Sequence, residues 1–517
     1  MLDAQLGLCA AISLALPLCY YWHLIRRPNI RRPPSPSSLP LVGNLFSIPS
    51  GPEHLAFTKL GEQLKADVFF LEIFGQKLLI LNSAEAASQI LDKRSAIYSD
   101  RPPIPMVTDP ALMNWSKLVT VVGYNDLWRH YRRIMHNWLN MRAVSQFNDL
   151  QEQQSRLLLQ RLLRVTDQVE PFQHVKDEFF FSMASSMFRL AYGYELQGPR
   201  DIFFREAQQA AHNALMAGMP TNFFVNTFPL LSYIPDWFPG TGWKRTAREW
   251  RTQQEKAKTE PYEWAKTQVA NGTNQPSLLA PLIQGHQLLS ELSSAERDER
   301  LKEVGFIMFG GGTDTSAYFL VNLVAALVLN PQVQERAQEE LDTVLGPVIL
   351  PSISDKERLP YIRNLIDEVL RLYPVLPLGA PHACFQDDSY RGYDIQKGTT
   401  VLGNIWAIGR DPRHYKDPEV FNPDRYLDSD VPRPPAFGWG RRKCPGIHFA
   451  ENSTFITAAL LLAVFTFSKK KDHNGQEVVP QIEPERNSFT LELKPFGFEF
   501  KPRSDKHRQL ILGVTDE

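Results

Sequence analysis

The stretch Phe437-Gly438-Trp439-Gly440-Arg441-Arg442-Lys443-Cys444-Pro445-Gly446 decides how this chain is read. One cysteine stands among glycines and cations, with Pro-Gly directly behind it. Positive charge and backbone N–H groups stabilise a thiolate over a thiol. Gly440 and Gly446 let the backbone turn tightly and approach a flat ligand with no Cβ in the way. The apolar run from Ile447 onward predicts a helix, so Cys444 lies just before a helix N-terminus, where the dipole also favours an anion. A cysteine without such flanks is a small buried hydrophobe. These flanks argue for a ligand.

Upstream, Leu301 to Asn330 is apolar and long enough for about 45 Å of helix, yet its middle reads Gly310-Gly311-Gly312-Thr313-Asp314-Thr315-Ser316. Each interior glycine costs roughly 1 kcal/mol against alanine, and a buried Asp costs more. A purely structural helix would not place three glycines and a carboxylate at its centre. Ile362 to Leu372 predicts a further helix, with Pro360 near its start and Tyr373-Pro374 closing it. Glu368 and Arg371 share one of its faces, among Leu365, Ile366, Val369 and Leu370. A buried pair needs further hydrogen-bond partners, and Arg425 is the candidate. Trp128 and Arg132, four apart, also share a helix face; alone they would make an amphipathic surface helix.

Taken together these motifs resemble the cytochromes P-450. The Cys444 stretch matches that family's haem-binding loop at Phe437, Gly440, Arg442, Cys444 and Gly446. Gly311 to Ser316 matches its oxygen-handling helix, and Glu368-x-x-Arg371 with Arg425 its buried triad. Gly311 and Ser316 are permitted variants, and Asn422-Pro423-Asp424 softens a usual Glu. The resemblance implies the cytochrome P-450 fold, mainly α with a small β region and preceded by an N-terminal transmembrane helix. It implies haem b with Cys444 as its axial thiolate, in a loop with Phe437 and Gly440. Trp128, Arg132 and Arg442 would reach the haem propionates; His382 would be another propionate donor or a surface histidine. The glycines at 310–312 would distort their helix and open a groove for O2. Thr315 would hydrogen-bond bound oxygen and Asp314 would relay protons, while Glu368, Arg371 and Arg425 would be structural.

The implied activity is a monooxygenase that inserts one atom of O2 into a lipophilic small molecule. Its electrons would come from an NADPH–cytochrome reductase docking on Arg129, Arg133, Arg441 and Lys443. Resemblance to fungal microsomal members points to secondary metabolism and a terpenoid-like substrate. The rival readings are a haem-thiolate isomerase or dehydratase that uses no O2, and a haem-binding carrier or sensor without turnover.

The totals agree with a globular body: 517 residues, 43% hydrophobic and 22% charged, net charge −1. Nothing in that balance suggests a nucleic-acid binder. Cys9, Cys19, Cys384 and Cys444 have neither disulfide nor zinc spacing. Leu6 to Leu24 is apolar and would span about 28 Å as a helix, followed by Arg26, Arg27, Arg31 and Arg32. Positive-inside logic predicts a single-pass anchor with the body in the cytosol, and the resemblance to microsomal members implies the endoplasmic reticulum membrane. A cleaved signal peptide would carry its cations before the apolar run. The expected organisation is therefore an anchor at 1–25, a basic and Pro-rich hinge at 26–45, and the haem domain at 46–517.

Within that domain, Asp67 to Asn82 predicts a β-hairpin around Gly75, and Ser83 a helix cap. The segment from Tyr98 to Leu127 reads as a loop over the site. Residues 145–300 read as mainly helical, and Gln332 to Leu345 as another helix. Ala214 to Gly242, aromatic and broken by prolines, reads as a substrate-entry lid that touches the membrane, against a core-packing loop. Thr273 to Ser294 reads as a surface excursion and Ser488 to Lys501 as a C-terminal hairpin. Leu39, Leu41, Val42 and Leu45 in the hinge are expected to dock. The sequons at Asn114, Asn271 and Asn452 would stay bare in a cytosolic body.

Overall fold

One helix crosses the whole molecule, and the other elements pack around it. The computed structural model describes residues 30–219 and 222–513; the expected anchor and the start of the hinge lie outside them. In chain order the helices are α1 (Glu53–Leu64), α2 (Ala84–Ala87), α3 (Pro105–Thr108), α4 (Asp126–Leu139), α5 (Asn148–Leu163), α6 (Phe172–Tyr192), α7 (Ile202–Gly218), α8 (Gly242–Asn271), α9 (Leu279–Gly285), α10 (Ser294–Leu329), α11 (Pro331–Val344), α12 (Pro360–Leu372), α13 (Ile405–Ile408), α14 (Ile447–Val464) and α15 (Asp505–Leu512). The strands are β1 (Val68–Ile73), β2 (Gln76–Leu81), β3 (His382–Ala383), β4 (Asp388–Tyr390), β5 (Tyr393–Ile395), β6 (Thr400–Gly403), β7 (Phe465–Lys469) and β8 (Phe498–Pro502). The fold is mainly α with small sheets, as the sequence implies.

The largest sheet runs β1-β2-β6-β3. β1 and β2 are joined at Phe74 and Gly75, both with positive φ, the geometry of a two-residue hairpin turn that follows the strand twist. β2 pairs parallel with β6, and β3 returns antiparallel to it. Ser83 caps α2 by accepting from the Ala86 N–H.

α10 begins two turns before the expected start, because Ser293 and Glu296 form a reciprocal capping box there. It also stays α-helical through Gly310–Gly312, with no break in the helix at the expected groove. Glycine serves packing here instead. A Cβ at Gly312 would lie 2.2 Å from the sulfur of Met187 on α6, and one at Gly305 2.6 Å from the Tyr192 hydroxyl. α10 and α14 are long and apolar enough to cross a membrane, yet both are core helices, lined by residues such as Leu323, Val324, Leu460 and Leu461 that are fully buried.

Three other expectations are corrected. Thr273 to Ser294 is no surface excursion: Leu278, Leu279 and Leu282 are buried within the core, and the Leu278 N–H donates to Leu190 (2.8 Å). The C-terminal strand β8 pairs antiparallel with β7, Lys469 standing opposite Phe498; within 483–494 the chain folds back on itself, with Glu485 N–H on Glu492 and Lys494 N–H on Glu483. In the hinge the backbone docks rather than the leucines. Phe70 N–H donates to Pro34 (2.9 Å) and Asn44 N–H to Glu72 (2.7 Å), whereas Leu39, Leu41 and Leu45 are exposed.

The lid segment presents Phe224, Leu230, Tyr233, Trp237 and Phe238 to solvent, which removes the core-packing reading for these side chains. Asn226 within it is buried. Its Oδ1 accepts from the Met106 N–H of α3 (2.9 Å), its Nδ2 donates to Ala217 (2.7 Å), and its carbonyl accepts from Gln76 Nε2 of β2 (2.7 Å).

Candidate active site

Beneath the site, α12 and the following loops position the Cys444 segment. Glu368 is fully buried and receives Arg371 Nε and Nη2 (both 2.8 Å) and Arg425 Nε (3.0 and 3.1 Å). The Asn422 N–H adds a fifth bond at 2.8 Å. Arg371 spends its remaining donors on the Gly409 and Pro418 carbonyls, and Arg425 on those of Lys416 and Val420. Burial opposes charge on Arg371, but Glu368 outweighs it and holds the guanidinium pKa up. The triad therefore ties 409–425 to α12, with every charge met by hydrogen bonds.

The loop itself closes when the Cys444 N–H donates to the Phe437 carbonyl (2.9 Å). Gly440 has φ +54, and a Cβ there would lie 2.2 Å from the Leu91 carbonyl oxygen and 2.6 Å from Ser95. Its lack of a side chain lets the loop seat on 88–95, which corrects the expectation that it faces a flat ligand. At Gly446, by contrast, a Cβ would meet only Cys444 Sγ, at 4.0 Å, so the space beside the sulfur is open. Trp439, which the sequence reading passed over, is buried against Gly403 and Gly379 and fastens the loop to the end of β6.

Cys444 stands immediately before α14. Burial pushes its thiol up, while the Gly446 N–H and Arg132 pull it down. The neighbouring cations do less than their spacing suggests. Arg442 turns to the Ser99 (2.8 Å) and Val122 (2.7 Å) carbonyls, and Arg441 to the Tyr124 hydroxyl. A thiolate here is completed by a metal, which deprotonates a coordinating thiol.

Arg132, Arg442, Trp128 and His382 come together as expected, joined by one residue the sequence gave no signal for, Arg101. Arg132 donates to the Lys443 carbonyl (2.8 Å), and Arg101 to those of Thr120 (3.0 Å) and Ala380 (3.2 Å). The guanidinium of Arg442 lies 4.5 Å over the Trp128 ring. His382 is buried rather than at the surface, its Nδ1 2.7 Å from the Tyr98 carbonyl. Among the described residues none of the three arginines has a carboxylate partner. Burial pushes Arg101 down to about 10 and, with Arg101 nearby, Arg442 down to about 9; burial and Arg101 push His382 down to about 3. This is a cationic cradle short of negative charge. The two propionates of a haem would supply it, and the space at Gly446 suits the ring, so the residues present fit the group.

Above, α10 carries the acid and the alcohol. Thr315 Oγ1 donates to the Gly311 carbonyl one turn back (2.7 Å), and a Cβ at Gly311 would meet nothing within 4 Å. Asp314 is half-buried on another face. Burial, then the like charge of Glu492, push its carboxyl up to about 7, against the pull of Lys176.

A cysteine held by an ion-locked loop, under arginines that lack counter-ions, is the arrangement of a haem-thiolate protein. Comparison with known proteins narrows the class. The Cytochrome P450 family profile matches residues 33–500, and this chain belongs to that family. It is 35% identical to cytochrome P450 monooxygenase 98 of Postia placenta over 96% of both chains. It is 33% identical to cytochrome P450 monooxygenase claR of Ampulloclitocybe clavipes over 96% of this chain and 90% of that one. To cytochrome P450 monooxygenase COX1 of Coprinopsis cinerea it is 34% identical over 93% of each. The chain is a haem-thiolate monooxygenase with haem b as its cofactor.

Proposed function

We propose that this monooxygenase oxidises a lipophilic, terpenoid-like small molecule of fungal secondary metabolism, with electrons from an NADPH–cytochrome reductase, on the cytosolic face of the endoplasmic reticulum membrane. One observation carries the membrane reading. Leu41, Phe46, Phe224, Leu230, Tyr233 and Trp237 are all more than two-thirds exposed, in the hinge, directly after it and in the lid. Phe228 of the lid packs 4.9 Å from Phe74 at the tip of the β1–β2 hairpin. Exposed apolar groups on that scale suit a bilayer rather than water, and a substrate dissolved there would enter beside the lid. The exposed cations Arg129, Arg133, Arg441 and Lys443 support an acidic flavoprotein as donor.

When bound, a thiolate-ligated haem supplies the electron density that favours O–O cleavage, a property for which this family is the standing example. The chain's own residues do the rest. Arg101, Arg132 and Arg442 hold the propionates, the triad keeps the sulfur's loop still, and Thr315 offers a hydroxyl proton over the open space at Gly311. Asp314, half-protonated near neutral pH, would relay protons from solvent towards the site. An O2-independent isomerase or dehydratase would need neither Asp314 nor Thr315. The test is expression in microsomes with a reductase and a screen of terpenoids by mass spectrometry. Products carrying one atom from labelled O2 and dependent on NADPH are expected; turnover without NADPH would overturn the reading.

A further inference from the structure

We propose that the C-terminal hairpin supplies a second carboxylate to the acid face of α10: Glu492, clamped between Lys176 and Arg486, is a positioning residue for the proton that Asp314 carries. The inference rests on the role given to Asp314 above and extends it to an element no motif marks. Glu492 is buried, with Oε1 2.7 Å from Lys176 Nζ and Oε2 2.8 Å from Arg486 Nη2. Lys176 is largely shielded while Arg486 reaches water, its side chain 42% exposed. The pair thus runs from the flank of α10 outward to solvent.

Its inner end is fixed against α10 itself. Lys176 Nζ sits 5.7 Å over the ring of Tyr318, which Phe180 meets edge-on at 5.2 Å. Tyr318 lies one turn after Asp314, on the same helix face. The hairpin is held in turn by Glu485 N–H on the Glu492 carbonyl (2.7 Å) and Leu491 N–H on Val375 (2.8 Å). The charged and titratable groups on this side of Asp314 are Glu492 and Arg486 from the hairpin, Lys176 from α6, Tyr318 from α10 and exposed His212 from α7, which feels both Arg486 and Glu492. Burial pushes Glu492 up, but Lys176 and Arg486 outweigh it, so Glu492 stays ionised. A fixed negative charge discourages Asp314 from ionising, and Lys176 opposes it. Two arms of opposite sign meet on one acid.

The test uses the full-length, haem-loaded protein and follows the Asp314 carboxyl by infrared titration, its band assigned by Asp314→Asn. Glu492→Gln is expected to move the midpoint to lower pH by roughly one unit, a tenfold change in the proton equilibrium. Lys176→Met is expected to move it the other way, and Glu492→Asp to keep the parent midpoint. A merely structural hairpin would not give opposite signs. The band of the reduced carbon monoxide complex certifies each variant's fold. In parallel, the share of NADPH electrons reaching product should follow the shifted midpoint. If Glu492→Gln and Lys176→Met leave the midpoint where it was, the assignment of Glu492 is overturned while the role of Asp314 stands. If Asp314→Asn itself leaves product yield per NADPH unchanged at every pH, the reading of Asp314 fails and this inference with it.

Discussion

Two acids frame this site, Glu368 fully buried and Asp314 half-buried, and they are treated in opposite ways. Glu368, below, receives five hydrogen bonds from two arginines and a backbone N–H. Asp314, above, receives none from a described residue, and is left to burial and to charges it does not touch. A carboxylate met on all sides by fixed donors serves as a fastener. One left unsatisfied stays able to change state, which is what proton traffic requires. The difference separates residues that hold the site from residues that run it.

The largest effect should come from removing what the fastener protects. Cys444→Ala is expected to abolish the red-shifted band of the reduced carbon monoxide complex altogether. Glu368→Ala leaves Arg371 and Arg425 buried without a counter-ion, so it should cost about 3–5 kcal/mol in urea unfolding. Leucine at Arg442 or Arg132 should weaken haem retention by about 1.5–3 kcal/mol each, the worth of a hydrogen bond to a charged group, measured by transfer of haem to an acceptor globin.

Asp314→Asn should do the reverse of Glu368→Ala and stabilise the fold. The folded carboxyl titrates near 7 against an ordinary 3.8, so ionisation above that range works against folding. Stability present below about pH 4 is lost as pH rises to about 7. The asparagine variant escapes that loss, and its advantage should grow across this window and level off above it. Partial exposure limits the gain to on the order of 1–2 kcal/mol, read from unfolding midpoints at several pH values. Smallest of all, Trp237→Ser should change stability by less than about 0.5 kcal/mol while reducing co-sedimentation with liposomes.

The fastener was legible in the sequence and much of the running gear was not. Glu368, Arg371 and Cys444 announce themselves because their partners lie at fixed local spacings or in one short loop. The same holds for the β1–β2 hairpin, whose turn chemistry is local. Arg101 sits in an unremarkable Asp-Arg-Pro-Pro stretch, and only the tertiary fold brings it beside Arg442. Glu492 likewise acquires meaning from Lys176, more than 300 residues earlier. Composition misled at Thr273 to Ser294, where a few leucines among polar residues are enough to reach the core. It misled again at Gly312, where the absent side chain makes room for Met187.

Asn226 has a mechanical implication for the lid. Its side-chain amide ties the two ends of that segment's turn to the short helix at 105–108, and its backbone carbonyl ties the same point to the β1–β2 hairpin. Lifting the lid at this residue would therefore carry helix and hairpin along with it or strand a buried amide, so the three would move as one shutter rather than as independent flaps.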